Sequence, residues 1–118
     1  MRWLGGKAAV FVLSFDVDPE SPNPRAGLRH AENAMAMTHQ AYGPLVGVPR
    51  LLRLLDDCAL KATFFIPGLT VDRYPETVER SAAAGHDIGH HSYNHVSPVN
   101  LSEAEERVRR TTPARATA

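Results

Sequence analysis

The sequence contains little that could stabilise a fold through covalent links. Of its 118 residues one is a cysteine, and 7% are aromatic. Because a single thiol cannot form an internal disulfide, the fold must depend on an apolar core. Cys58 follows a leucine-rich helical pattern, which predicts a small core residue rather than a catalytic nucleophile.

No charge sign dominates, and no long apolar run is present. The 13 basic and 13 acidic residues give a formal net charge of +0 at pH 7, so no nucleic-acid or anionic-membrane partner is indicated. No stretch approaches the roughly 18 apolar residues that a membrane-spanning helix needs. With 43% hydrophobic residues at this length, the sequence predicts one globular domain.

The apolar run nearest the N-terminus has two interpretations, a buried strand or a secretory signal peptide. Lys7 precedes the run Ala8–Phe15, Asp16 and Asp18 follow it, and no small-residue cleavage site comes before them. These features favour a strand buried on both faces. The predicted location is therefore cytoplasmic.

Strands and helices alternate in the predicted order. The predicted strands are Ala8–Phe15, Ala62–Ile66 and Asp87–His90, and the predicted helices are Val48–Cys58, Pro75–Ala84 and Leu101–Arg110, the last capped by Asn100 or Ser102. Residues 25–46 are harder to assign: Ala31–Thr38 is compatible with a short helix, and Tyr42-Gly-Pro44 is expected to end any regular structure. The alternation predicts an α/β fold with parallel strands, helices outside them, and functional groups at the carboxyl ends of the strands.

Two carboxylates follow the first predicted strand. In an extended segment, Asp16 and Asp18 point to the same side and Val17 to the other. Two like charges this close are unfavourable unless a cation or a proton lies between them. A divalent metal would bind one carboxylate, and the other could accept a proton from an attacking water. The alternative is a pair of loop-capping aspartates in a turn rich in proline and asparagine.

Two imidazoles follow the third predicted strand. On one helical turn, His91 and His95 would lie about 5–6 Å apart, close enough to hold one metal, although a lone pair at this spacing also arises by chance. The remaining histidines fit structural or surface roles better: His86 follows a helix-ending glycine, His90 has the opposite strand parity to His91, and His30 and His39 lie in the unassigned segment.

Together the motifs supply two imidazoles, one metal carboxylate and one spare carboxylate at the carboxyl ends of two strands. That donor set suits zinc or a similar divalent metal in a hydrolytic site with an open position for water. The remaining alternative is a plain α/β domain in which the histidines are incidental.

Three segments resemble the polysaccharide deacetylase family, whose shared unit is the NodB homology domain. They are Ser14-Phe-Asp-Val-Asp18, Lys61-Ala-Thr-Phe-Phe-Ile-Pro-Gly68 and Ala84-Gly-His-Asp-Ile-Gly-His-His-Ser-Tyr-Asn-His95. The resemblance extends from about Val10 to Glu106. It implies a distorted (β/α) barrel and a metal-dependent hydrolysis of carbon–nitrogen bonds. Asp16 would be the general base, and Asp18, His91 and His95 would hold a divalent metal, with zinc preferred.

The resemblance also implies a class of substrate. The spaced aspartates and the adjacent histidines resemble the branch that contains cytoplasmic cyclic-amide hydrolases and some peptidoglycan deacetylases. The expected substrate is therefore an N-acetylated carbohydrate or a small cyclic amide. The sequence is also compatible with a homo-oligomer.

The resemblance fades toward the C-terminus. The family's later motifs, an arginine and an aspartate that orient the base and a histidine that protonates the leaving amine, would lie beyond Ala118. The chain is therefore expected to be a truncated barrel, with a partial domain over 8–110 and a disordered or out-of-frame tail over 111–118. Such a chain is expected to be inactive or nearly so by itself. The alternative is a truncated product that binds metal without catalysis.

Overall fold

The computed structural model describes residues 4–18, 41–93, 99 and 101–111. Its helices are a 3-10 turn Leu4–Gly6, a π-helical segment Gly43–Gly47, α1 (Val48–Asp57), α2 (Gly68–Arg73), α3 (Pro75–Ala83) and α4 (Glu103–Thr111). Its strands are β1 (Ser14–Asp16), β2 (Thr63–Ile66) and β3 (Asp87–His90). Within these ranges, no helix has the length and apolar character needed to cross a membrane.

The three strands form one parallel sheet in the order β1-β2-β3. Phe15 pairs with Phe64 and Phe64 pairs with Ile88, so β2 is the central strand. Each crossover contains a helix, as parallel strands require because the chain must return to the starting edge of the sheet. The predicted α/β class with a parallel sheet is confirmed.

The core lies between the sheet and α1. Phe64 on the central strand has no exposed surface. The centre of its ring lies 5.4 Å from that of Phe15 and 5.3 Å from that of His86. Val48 and Leu55 of α1 are buried in the same apolar cluster. Burial against this helix therefore holds one face of the sheet.

Helix α3 ends just before Gly85, the residue from which its end was predicted. Gly85 follows the last turn with a φ of 76°, a left-handed conformation that glycine adopts without strain. The next residue, His86, is 7% exposed, and its Nδ1 accepts a hydrogen bond from the amide of Ala62 at 3.3 Å. His86 thus links the start of β3 to the start of β2, which is the structural role that the sequence predicted.

The first strand is much shorter than predicted. Within the described part of this run, Ser14–Asp16 is the segment that forms a strand, and residues 10–12 are between 56% and 85% exposed. The prediction of a buried strand over Ala8–Phe15 is therefore wrong for most of its length. The register explains the difference: Ser14 pairs with Thr63, the first residue of β2, so the earlier run has no neighbouring strand in the described part of the chain.

Two helical segments differ from the prediction. Gly43–Gly47 is π-helical and runs directly into α1, so the Gly-Pro pair does not end the regular structure. Pro44 lies in the first turn of this segment, where its missing N–H breaks no helical hydrogen bond. Helix α2 is also absent from the prediction. Pro67 closes β2 as expected, but it then serves as the N-cap of α2.

Cys58 is exposed, which contradicts its predicted place in the core. Helix α1 ends at Asp57, and the amide of Cys58 donates to the carbonyl of Leu54 at 3.1 Å. Ala59 then has a φ of 52°, which turns the chain away from the helix. Cys58 continues the apolar pattern of α1 in the sequence. Because the helix ends one residue earlier, this position does not lie on its buried face.

Helix α4 begins at a capping box. The amide of Ser102 donates to the carboxylate of Glu105 at 2.9 Å, and the amide of Glu105 donates to the hydroxyl of Ser102 at 3.4 Å. Ser102 is therefore the cap. The helix extends to Thr111, so the tail predicted over 111–118 begins with a helical residue, and its remainder lies outside the described residues.

The ring of Phe65 leaves no space for a side chain at Gly89 of β3. A Cβ atom at position 89 would overlap with Cδ1 of that ring. We expect Gly89→Ala to displace the ring and to lower the free energy of unfolding by about 1–3 kcal/mol, as measured by urea denaturation. Gly43→Ala is the matched control, because nothing lies within 4 Å of the added atom. An equal loss of stability in both variants would contradict this steric explanation.

Candidate functional site

Alternation along the strands divides their side chains between the two faces of the sheet. Phe64 and Ile66 point toward the helices and are buried. Asp16, Phe65 and Gly89 form one row across the other face, because Asp16 pairs with Phe65 and Phe65 pairs with Gly89. We call this surface the Asp16 face.

The segment Asp16-Val17-Asp18 leaves β1 with its side chains alternating between core and surface. Val17 is 5% exposed and belongs to the apolar core, whereas both aspartates are exposed. The amide of Val17 donates to the carbonyl of Phe65 at 2.9 Å, which extends the pairing with β2 past the end of β1. The two carboxylates therefore point away from the core, as the extended pattern predicted.

His91, the first residue after β3, reaches the end of β1. Its Nε2 lies 3.5 Å from Oδ1 of Asp18, and the two side chains are 30% and 55% exposed. The centre of its imidazole ring lies 6.5 Å from that of Phe65. Two of the predicted metal ligands thus come together, although their strands are not neighbours in the sheet.

The separation of these two predicted ligands is compatible with a shared divalent cation. An N–H···O hydrogen bond is usually about 2.7–3.2 Å long. Two ligand atoms bound tetrahedrally to zinc, each about 2.0–2.2 Å from it, lie about 3.4 Å apart. The observed 3.5 Å between Nε2 of His91 and Oδ1 of Asp18 is close to the second value. Imidazole nitrogen and carboxylate oxygen are also donors that zinc accepts.

The described residues supply two of the three predicted ligands. Among them, no group of three histidine, cysteine, aspartate or glutamate side chains is placed to hold a metal ion. His95, the third predicted ligand, lies outside the described residues. The helical turn predicted to begin at His91 is not found over residues 91–93: Ser92 has a φ of 61°, which a right-handed helix does not allow.

His90 lies on the opposite side of β3 from the Asp16 face. It pairs with Ile66, whose side chain is buried against the helices. Its Nδ1 accepts a hydrogen bond from the amide of Ser92 at 3.3 Å. His90 is therefore not a candidate ligand, as strand parity predicted.

Three residues near the site were missed by motif reasoning. Phe65 on the Asp16 face could have been found from its parity in β2, once a parallel register is assumed. Thr70 and Tyr93 make hydrogen bonds to residues 53 and 21 positions away in the sequence. No local pattern signals such contacts, because both partners are fixed only by the fold.

The fold and both motifs agree with one family of enzymes. The sequence profile of that family, polysaccharide deacetylase, matches residues 6–112. The chain belongs to the polysaccharide deacetylase family, and the predicted membership is confirmed.

Relatives share part of their length with this chain. Over 61 residues it is 38% identical to a peptidoglycan deacetylase of Helicobacter pylori, a match that covers 52% of this chain and 21% of that protein. Over 68 residues it is 35% identical to a chitin deacetylase of Colletotrichum lindemuthianum, which covers 53% of this chain and 27% of the relative. The aligned region is thus 21% of one relative and 27% of the other.

Solved structures give the same assignment. A Mycobacterium smegmatis structure assigned to the polysaccharide deacetylases matches with a TM-score of 0.84 at 47% identity, covering 92% of this chain and 38% of that one. An allantoinase structure matches with a TM-score of 0.71 at 22% identity, so this likeness concerns the fold alone. The predicted distorted (β/α) barrel type is confirmed over the part of the barrel that this chain covers.

Proposed function

We propose that this chain carries the water-activating part of a metal-dependent hydrolase that removes N-acetyl groups from carbohydrate. The observation that carries the proposal is the distance of 3.5 Å between Oδ1 of Asp18 and Nε2 of His91. The exposed Asp16 lies two residues before Asp18 in the sequence. Relatives above 30% identity are named peptidoglycan and chitin deacetylases, which supports an N-acetylated carbohydrate. A cyclic amide is the weaker alternative, because the likeness to the allantoinase concerns the fold alone.

The residues proposed to hold the metal are Asp18, His91 and His95, and the proposed ion is zinc. One carboxylate and two imidazoles are a donor set that would suit a catalytic zinc ion. The bound ion supplies Lewis acidity, which makes water a stronger nucleophile and polarises the amide carbonyl.

Asp16 is proposed to be the proton acceptor. As water adds to the amide carbon and a carbon–oxygen bond forms, the Asp16 carboxylate takes a proton from that water. The carbon–nitrogen bond then breaks, acetate leaves, and the amine nitrogen must gain a proton. None of the residues assigned above donates that proton.

Because no general acid is assigned among these residues, a low rate of amide hydrolysis is expected for the 118 residues by themselves. General acid catalysis typically contributes about 10²–10⁴-fold to a rate, so we expect the 118-residue chain to release acetate from N-acetylglucosamine oligomers barely above background. A substrate whose leaving group departs as an anion avoids this step. 4-Nitrophenyl acetate is such a substrate, because 4-nitrophenolate needs no proton to leave.

The zinc-loaded chain should therefore hydrolyse 4-nitrophenyl acetate while releasing little acetate from the oligomer. Asp16→Asn should lower the zinc-dependent rate by about 10²-fold or more, because it removes the base. Zinc affinity should not change, since the ligand Asp18 is retained. Absorbance follows 4-nitrophenolate, a coupled enzymatic assay follows acetate, and calorimetry measures zinc binding.

Asp87→Asn is the matched control. Asp87 is an exposed residue of the same sheet. It lies at the amino end of β3, whereas the site lies at the carboxyl ends of the strands. This variant should keep the wild-type rate. A rate that is equal in Asp16→Asn and wild type rejects Asp16 as the base. Zinc binding without hydrolysis of either substrate favours the alternative, a metal-binding fragment with no catalysis. Rapid deacetylation of the oligomer that depends on Asp16 would overturn the expected inactivity.

A further inference from the structure

The separation of Asp18 and His91 is not set by strand pairing alone. β1 and β3 do not pair with each other, since β2 lies between them. Both side chains belong to residues that follow the last residue of their strands. Helix α2 contacts both of the segments that carry these side chains.

On the aspartate side, α2 contributes Thr70. This residue has no exposed surface, and its hydroxyl donates to the carbonyl of Val17 at 3.2 Å. The amide of Val17 donates to the carbonyl of Phe65 in β2 at 2.9 Å. Both peptide groups of the residue between the two aspartates are thus held, one by β2 and the other by α2.

On the histidine side, the first turn of α2 binds the turn after His91. The amide of Gly68 donates to the carbonyl of Ser92 at 3.0 Å. The amide of Leu69 donates to the carbonyl of Tyr93 at 2.8 Å. Because the first amides of a helix have no acceptor within the helix, these bonds complete the start of α2 and hold the turn at the same time.

The side chain of Tyr93 makes a second connection to α2. Its hydroxyl donates to Oδ2 of Asp72 at 2.9 Å. Its ring lies against Gly68, where a Cβ atom would be only 2.5 Å from Cδ2 of the ring. The absence of a side chain at position 68 therefore lets the turn after His91 approach the helix backbone.

We propose that α2 sets the distance between Asp18 and His91, and that Thr70 and Tyr93 are positioning residues of the metal site. Thr70 holds the aspartate segment and Tyr93 the histidine segment on the same six-residue helix. The inference rests on the proposed function, since it explains the separation of two proposed metal ligands.

Zinc affinity tests this role without an assay of activity. Thr70→Val keeps the shape of the side chain and removes its hydroxyl, and Tyr93→Phe keeps the ring and removes its hydroxyl. Each should weaken zinc binding about tenfold or more, as changes in residues that orient metal ligands typically do. Thr70→Ser restores a hydroxyl and should recover most of the affinity.

Two matched controls separate positioning from general packing. Thr77→Val removes a similarly buried hydroxyl from α3, and Tyr42→Phe removes an exposed phenol that accepts a hydrogen bond from Arg50. Both should keep the wild-type zinc affinity. The unfolding free energy of every metal-free variant is measured in parallel, so that affinities are compared only among folded chains.

The imidazole NMR signals of His91 in the metal-free chain give a second readout. They should shift in Thr70→Val and Tyr93→Phe and stay unchanged in the two controls. Wild-type zinc affinity together with unshifted His91 signals in both variants overturns the proposal. If the wild-type chain binds no zinc, the proposed function fails separately, and the His91 signals alone decide the role of α2: shifted signals support it and unshifted signals overturn it.

Discussion

Replacing His91 by alanine is expected to abolish specific zinc binding by the chain. Nε2 of His91 lies 3.5 Å from Oδ1 of Asp18, and only one other protein ligand is proposed for the site. Loss of a residue that merely orients a metal ligand weakens affinity about 10- to 100-fold. Loss of the ligand itself should therefore cost at least about 100-fold, as measured by calorimetry or by competition with a chelating dye.

The neighbouring His90 provides the matched control for this prediction. Its Nδ1 bonds to the amide of Ser92, and its side chain belongs to the opposite face of β3. His90→Ala should keep stoichiometric zinc, whereas Asp18→Asn should lose it as His91→Ala does. A similar loss in both histidine variants would mean that the histidine-rich segment binds zinc without a defined site.

Replacing Phe64 by alanine is expected to unfold the chain or to bring it close to unfolding. The Phe64 side chain has no exposed surface and lies between the rings of Phe15 and His86. Truncating a buried phenylalanine costs about 3–5 kcal/mol, whereas small domains are stable by only about 5–15 kcal/mol. Urea denaturation followed by circular dichroism measures the change.

Phe11→Ala is the matched control for Phe64→Ala. Phe11 is 85% exposed, and exposed substitutions usually change stability by less than about 0.5 kcal/mol. A large loss of stability in Phe11→Ala would support the buried strand predicted from the sequence instead of the exposed segment found in the structure. An unchanged unfolding free energy in Phe64→Ala would contradict the position of the core.

Elements with several agreeing local signals were predicted within one residue. Helix α3 has a proline at its start and Gly85 after its end, and α1 has an apolar stripe behind Pro49. The short strand β3 was also predicted with its observed bounds, Asp87–His90. These signals depend on residues close in sequence, so the sequence alone is enough to interpret them.

Elements that depend on a distant partner were predicted poorly. The run before Ser14 is apolar, but a strand also needs a neighbouring strand, and β2 begins only opposite Ser14. Helix α2 is short, and bonds to Val17 and to the turn after His91 hold it in place. Such bonds leave no periodicity in the sequence from which the helix could be predicted.

By itself the sequence determined the order of the three strands and of helices α1, α3 and α4, the parallel class of the sheet and the chemical character of Asp16, Asp18 and His91. Residue type and periodicity are local, so these conclusions need no knowledge of the fold. Only the tertiary structure decided which of these groups meet. Asp18 and His91 follow strands that β2 separates, and α2 bonds to the segments that carry them. Their distance is a property of packing between elements far apart in the chain.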